Sequence, residues 1–371
     1  MTPRIAIDAS RCTRAQRTGT EQYALALLRA LIPQNHEFQL SLYFREEPAP
    51  DLLPSSPRVA MRVLRSPRLW THLPLAAALY RDRPALTFVP AHTLPWRFPG
   101  RAIVTIHDLG YRHFPAAHPL RQRLYLDWST RHSARRADLL LCDSEATKAD
   151  AAHFYGTPAA KMRVVYPGVN PLSGEMDAAA VAAIRAKHGL PARYYLHVGT
   201  LQPRKNIAFL VAAFQRWAAE RADAAVVLAL AGRKGWLFDE SWLGAGRQVR
   251  WLGYVDDADL ATLYRGARAL LLPALHEGFG FPALEAMRCG TPVLASNRAS
   301  LPEVVGEAGI LLDPQDETAW VQTLTAIEND EALRQKLIAR GTEQARQFRW
   351  EEAAQQTLAA FREVLQGTGG A

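Results

Sequence analysis

Short runs of apolar and β-branched residues alternate along the chain with stretches whose apolar positions recur every three or four residues. In the first half the runs are RIAIDAS from Arg4, FQLSLYF from Phe38, RVAMRVL from Arg58, LTFVPA from Leu86, AIVTIHDL from Ala102, DLLLCDS from Asp138 and MRVVYPGV from Met162. The second half restarts the pattern with RYYLHVGT from Arg193, AVVLALAG from Ala225, VRWLGYV from Val249, ALLLPALHE from Ala269, TPVLAS from Thr291 and GILLDP from Gly309. Strands that are apolar along their length are buried on both faces, so the pattern predicts parallel sheets covered by helices such as TEQYALALLRAL. The fold class is α/β, with two doubly wound, Rossmann-like domains and ligands expected at the C-terminal ends of the strands. The Pro-, Gly- and Asn-rich stretch PGVNPLSGEMDAAA and a short helix ending at His188-Gly189 put the boundary between residues 1–188 and 189–371. Beyond Asp313 the chain reads as helical, and its last helix is free to pack back on the first domain.

Composition narrows the function without naming it. The 371 residues are 49% hydrophobic and 22% charged, enough for two substantial cores. The formal net charge of +8 is uneven, +10 over residues 1–188 and −2 over 189–371. Part of the basic excess is the stretch HPLRQRLYLDWSTRHSARRAD, where Arg121, Arg123, Arg131, Arg135 and Arg136 share a helix with Leu124, Tyr125, Leu126 and Trp128. That mixture suits either a solvated helix face or a surface that meets anionic lipid. No apolar run reaches the roughly 18 to 20 residues that a spanning helix needs. The start of the chain has no charged leader or h-region, so the expected location is cytoplasmic, peripheral on the inner face of a membrane if it meets one. Cys12, Cys142 and Cys289 are scattered, which fits reduced thiols rather than disulfides or a zinc site. Nucleic-acid binding is not expected, because the basic half carries no recognised nucleic-acid motif.

The stretch HEGFGFPALEAMRCGTPVLAS, from His276, concentrates the candidate chemistry. It reads as a strand end, a glycine loop and a helix opened by Pro282, an arrangement that offers backbone N–H groups to phosphate. Gly278, Gly280 and Ala283 satisfy a degenerate dinucleotide fingerprint. The next strand, however, ends in Ser296 and Asn297 instead of the acid that would hold a ribose. Glu277 and Glu285 flank the loop, where they would repel phosphate but accept hydrogen bonds from hydroxyls. A ligand with phosphates in the middle and polyhydroxylated groups at both ends, such as a nucleotide-diphosphate sugar, reconciles loop and carboxylates. The plainer reading of Glu285 is an acid in a first helical turn, which the helix dipole favours anyway.

These residues resemble the E-x7-E segment of retaining glycosyltransferases of family GT4, which adopt the two-domain GT-B fold. The resemblance extends through YYLHVGTLQPRKNIAFLVAAF, VVLALAGRKGW, VRWLGYVDDADLATLYRGARALLLPA and LPEVVGEAGILLDPQD. It is looser over RTGTEQYALALLRAL and AIVTIHDLGYRHFP. It implies that Glu277 bonds the donor sugar and Glu285 the nucleotide ribose, with backbone N–H groups of Phe279 and Gly280 at the sugar or phosphates. Lys205 and Arg204 would neutralise the diphosphate as it leaves. Thr200 stands where many relatives have Arg, which leaves the division between those two cations open. On the acceptor side, Gly19 would permit close approach, Thr18 or Thr20 would cap the following helix, and His107 would contact the donor sugar, with Asp108 orienting it or the acceptor. His107 could equally be a strand-end histidine satisfied by local backbone.

Several further expectations follow from this resemblance. Asp257-Ala-Asp259 spells a metal-binding DxD but falls in a helix's first turn, so no metal is expected at the reacting centre. No cofactor beyond the donor is implied. The resemblance to mannosyltransferase-like members favours GDP-mannose over UDP-glucose, with a glycan or polyprenyl-diphosphate-linked acceptor in cell-surface polysaccharide or glycolipid synthesis. Front-face displacement with retention is the implied mechanism. Arg233, Lys234 and Trp236 either border the base or are ordinary loop residues, while Asp8 and Glu21 lie near the acceptor side. The alternatives are a sugar-nucleotide 2-epimerase on the same scaffold and a non-catalytic sugar- or lipid-binding partner.

Overall fold

In the computed structural model, which describes residues 2–13, 19–66, 68–170, 177–221, 226–243 and 248–367, the chain divides into two compact units. The first comprises residues 1–112, 121–168 and 349–371; the second comprises 113–120 and 169–348. All thirteen apolar runs are strands, and each unit is built on one parallel sheet.

In the first unit the strands are β1 (Arg4–Asp8), β2 (Gln39–Phe44), β3 (Val59–Val63), β4 (Leu86–Val89), β5 (Arg101–Ile106), β6 (Leu139–Cys142) and β7 (Met162–Val164), in the order β3-β2-β1-β4-β5-β6-β7. Their helices are α1 (Gly19–Gln34), α2 (Ala76–Asp82), the single turn α3 (Gly110–His113), α4 (Leu120–Arg136) and α5 (Glu145–Tyr155). The second unit has β8 (Arg193–Val198), β9 (Val226–Ala231), β10 (Val249–Gly253), β11 (Leu270–Leu272), β12 (Val293–Ser296) and β13 (Ile310–Leu312), ordered β10-β9-β8-β11-β12-β13. Its helices are α6 (Ala178–His188), α7 (Ile207–Ala219), α8 (Asp257–Gly266), α9 (Phe281–Arg288), α10 (Leu301–Val305), α11 (Glu317–Asn329) and α12 (Glu331–Ala345); α13 (Trp350–Gln366) completes the first unit. In both sheets the order reverses beside the first strand, so crevices open at the C-terminal ends of β1 and β4 and of β8 and β11.

Helix α7 shows how the second core forms. Ile207, Leu210, Val211, Phe214 and Trp217 recur at helical spacing and bury one face against Tyr195 and Trp320. Each large side chain buried this way contributes roughly 1.5–3 kcal/mol. The structural division lies at Gly168/Val169 rather than at 188/189, because α6 packs on α8 of the second unit. Ile184 joins the core of Leu260, Leu263 and Tyr264, and Lys187 pairs with Asp259 at 2.5 Å. Asp259 of the DxD string is thereby engaged in the first turn of α8. At the other end, α13 turns Trp350, Leu358 and Phe361 inward onto the first unit, where Phe361 meets Phe88 (5.3 Å) and Trp350 meets Tyr23 (5.7 Å).

The short segment His113–Leu120 belongs to the second unit although it interrupts the first in sequence. Trp236 donates its indole N–H to the Ala117 carbonyl (2.5 Å), and the His113 ring lies 4.8 Å from that of His276. Cys12, Cys142 and Cys289 are buried free thiols.

Candidate active site

The reversal crevice of the second sheet gathers the charged residues that the sequence singles out there. The turn after β8 carries Gln202, Arg204 and Lys205; the loop after β11 carries His276, Glu277 and the glycines leading into α9. The two are tied together by Leu275 N–H donating to the Arg204 carbonyl (2.8 Å). Lys205 bonds the Glu277 carboxylate through Nζ, and both are buried. Arg204 Nη1 donates to Glu277 Oε2 (3.3 Å) and to the His276 carbonyl (2.9 Å). With its amide oxygen turned to the guanidinium, Gln202 accepts from Arg204 Nε (3.0 Å) and Nη2 (3.2 Å). Two cations thus converge on one desolvated carboxylate, an arrangement that costs several kcal/mol per ion unless each is well bonded. A cavity of about 390 Å³ opens beside Arg204, walled by Pro203, Leu275 and residues 113–117.

The glycine loop is held from behind. Ser300 Oγ lies 2.8 Å from the carbonyl oxygens of both Glu277 and Phe279, and the Phe279 ring packs into the core against Phe281 and Phe348. Gly280 sits at φ +108°, and a Cβ there would come within 2.9 Å of Leu301, so only glycine fits this entry into α9. Glu285 follows one turn later, partly exposed, accepting from Tyr264 Oη at 2.9 Å. Desolvation pushes its pKa up to about 7, opposed by the Tyr264 hydrogen bond.

In the first unit, His107 follows β5 and is buried. Nδ1 lies 2.6 Å from Asp143 Oδ2 and Nε2 3.2 Å from the Pro90 carbonyl. Burial opposes a charged ring, but the Asp143 carboxylate and these hydrogen bonds outweigh it and raise the pKa. Asp143, at the end of β6, therefore orients His107, whereas Asp108 accepts from the Gly110 amide (2.9 Å). Gly19 begins α1 and is exposed; Thr18 lies outside the described residues. Asp8 accepts from the Ser10 amide and Glu21 from Arg11, both at 2.9 Å. Arg233 lies over Tyr254 and Lys234 over Trp251.

Sequence reasoning missed Asp143, Gln202, Tyr264 and Ser300. Asp143 alone had a signal, since it follows its strand as His107 follows the neighbouring one. The others act through contacts 2 to 23 residues away in sequence, and no periodicity announces them.

Two parallel sheets of Rossmann type, with a cation–carboxylate cluster at the reversal of the second, define the GT-B class of glycosyltransferases. Solved structures share the fold: sucrose-phosphate synthase from Thermosynechococcus elongatus aligns with a TM-score of 0.76 at 24% identity over 98% of this chain and 99% of that one. Anabaena HepE, solved with UDP and glucose, aligns at 0.73 and 17% identity over 98% of this chain and 100% of that one. Residues 181–344 match the model described as glycosyl transferases group 1, and residues 17–171 that of glycosyltransferase family 4. The Escherichia coli O-antigen chain mannosyltransferase B is 36% identical over 279 residues, 74% of this chain and 73% of that protein. The E. coli serotype-specific mannosyltransferase WbdA is 28% identical over 76% of this chain, which spans 35% of its length. The chain belongs to glycosyltransferase family 4 and is a hexosyltransferase enzyme.

Proposed function

We propose that the protein transfers mannose from GDP-mannose, with retention of configuration, to a glycan or polyprenyl-diphosphate-linked acceptor during cell-surface polysaccharide synthesis. The observation that carries this reading is the convergence of Lys205, Arg204 and Glu277 beside a cavity at the switch point. The mannosyltransferase relatives favour the sugar. Glu277 takes hydroxyls of the donor sugar, Lys205 and Arg204 take the diphosphate with the Phe279 and Gly280 amides, and Glu285 takes the ribose. The bond from the anomeric carbon to the diphosphate breaks while the acceptor oxygen bonds that carbon on the same face. The acceptor's proton passes to the leaving diphosphate, whose growing charge the two cations stabilise. His107 has both ring nitrogens bonded inside its own unit. A panel of GDP- and UDP-sugars with product mass analysis tests the donor: transfer from GDP-mannose is expected, and preference for another sugar overturns the assignment.

A second observation favours a membrane-bound acceptor. No helix of the described residues is long and apolar enough to cross a membrane, but the first unit exposes Leu73, Trp96, Leu124, Tyr125 and Trp128. His72 stacks on Trp96 at 4.3 Å and meets Tyr125 Oη at 3.3 Å, and Trp96 and Trp128 lie 5.8 Å apart. Among the described residues, exposed Arg68, Arg97 and Arg121 beside them in sequence have no carboxylate partner. Arg131 instead pairs with Asp127, and Arg136 stacks on Phe98. Aromatic and leucine side chains with arginines suit an anionic lipid interface. Co-sedimentation with phosphatidylglycerol vesicles, weakened by salt and by Trp96→Ser/Trp128→Ser, is expected; indifference to lipid charge rejects this surface.

A further inference from the structure

His197 is the penultimate residue of β8 and has no exposed surface. Its Nδ1 lies 2.9 Å from the Leu271 carbonyl oxygen on the adjacent strand β11. A carbonyl only accepts, so Nδ1 carries the proton and the neutral ring presents Nε2 as a lone-pair acceptor. Burial keeps the ring neutral by lowering its pKa to about 4; the Leu271 bond and Glu277 work against that shift, and Lys205 adds to it. Nε2 is buried and has no hydrogen-bond partner among the described residues. An orphaned buried acceptor is costly and calls for an explanation.

The explanation lies on the open side of Gly199. This glycine sits at φ +149°, and a Cβ built on it would lie 3.7 Å from His197 Nε2, 3.7 Å from Lys205 Nζ and 3.6 Å from Lys205 Cε. The lone pair and the ammonium group therefore border one small space at the strand reversal. On the neighbouring strand end, a Cβ at Gly232 would come 1.9 Å from the Gly199 carbonyl, so the backbone closes the other side. Lys205 Nζ also bonds the Glu277 carboxylate.

We propose that His197 is a positioning residue for Lys205: when the donor is bound, Nε2 accepts one ammonium hydrogen and fixes the direction of another toward the diphosphate. The inference rests on the reading of Lys205 as the diphosphate-binding cation. A neutral acceptor suits this task because a carboxylate in the same place would cancel the charge the phosphates need, and a protonated imidazole would repel the lysine. The Leu271 carbonyl enforces the tautomer.

The test is the affinity for free GDP, by titration calorimetry, in single and double variants whose thermal unfolding is also recorded. His197→Asn keeps an amide able to donate to Leu271 but withdraws the acceptor from Lys205; His197→Gln restores an amide oxygen near the Nε2 position. About a tenfold loss of GDP affinity is expected for His197→Asn. His197→Gln should recover most of it, and His197→Asn should cause no further loss in a Lys205→Ala background. In transfer assays the loss should fall on the donor KM more than on kcat. Unchanged GDP affinity in folded His197→Asn, or the full tenfold loss repeated on top of Lys205→Ala, overturns the role of His197 while leaving Lys205 in place. Unchanged affinity in Lys205→Ala itself overturns the diphosphate reading and this inference with it.

Discussion

Both sheets end in buried ionic groups at the C-terminal side of their strands, yet the two clusters are finished differently. His107 and Asp143 follow β5 and β6, beside the reversal of the first sheet, and His107 has each ring nitrogen bonded to an acceptor of its own unit. Lys205, Arg204 and Glu277 stand at the reversal of the second sheet, where two cations share one carboxylate beside a cavity. The first cluster is a closed pair whose partners match in number. In the second, an incoming anion can compete for cations that already stand together, so the cost of desolvating them is met before the ligand arrives. Acidic and basic side chains at the same kind of strand end are therefore arranged in two different ways. What separates them is the topological reversal that opens a crevice and the balance of charge inside it.

If that contrast is right, the largest effect belongs to Glu277. Glu277→Gln should reduce transfer by about two orders of magnitude or more, the scale expected for a contact that strengthens in the transition state. Because Lys205 and Arg204 are then released from a carboxylate, free GDP should bind at least as tightly as before. Near-normal turnover in the folded variant would erase the distinction between the two clusters, and weaker GDP binding would mean that Glu277 does not compete with the diphosphate.

A smaller effect is expected at Glu285. Glu285→Ala should weaken GDP affinity about tenfold and kcat less, as for a group that binds ground and transition states alike. Unchanged affinity in calorimetry removes the ribose assignment. The same residue has a pH signature independent of ligand. Its pKa rises on folding from 4.5 to about 7, so the native state holds the proton longer than the unfolded chain. The contribution of Glu285 to stability therefore falls as pH rises through that window. Glu285→Gln should gain in melting temperature relative to the parent between pH 5 and 8; parallel curves across that range contradict the shift.

Asp143→Asn should produce the least change in chemistry and a measurable change in stability. A histidine whose pKa rises on folding contributes stability that is complete below its unfolded pKa of about 6.5 and is lost as pH climbs through the folded value. The variant should melt lower than the parent by on the order of a few degrees at pH 6, with the gap closing by pH 9. A gap that widens with pH would mean that the ring is neutral. A loss of transfer as large as that of Glu277→Gln would place this pair at the reacting centre.

All thirteen strands could be read from the sequence because burial on both faces leaves an uninterrupted apolar run, and that signal is local. The loop at Gly280 was legible for a similar reason, since glycine and proline report backbone geometry directly. The division of the chain was harder to place. Helix α6 looks like part of a linker until Ile184 is seen in the core of the second sheet, and residues 113–120 give no local sign that they join the second unit. Partners at the site were less legible still. Sequence alone determined that Glu277 and His107 stand at strand ends and that Lys205 lies between a strand and the next helix, because each follows an apolar run. Only the tertiary structure decided that Asp143 rather than adjacent Asp108 holds His107, that Glu277 joins Lys205 across 72 residues, and that His197 faces the same space. Strand position follows from hydrophobic periodicity, a property of neighbours in sequence. Charge pairing at strand ends depends on which strands lie side by side, and parallel crossover connections separate such strands by tens of residues.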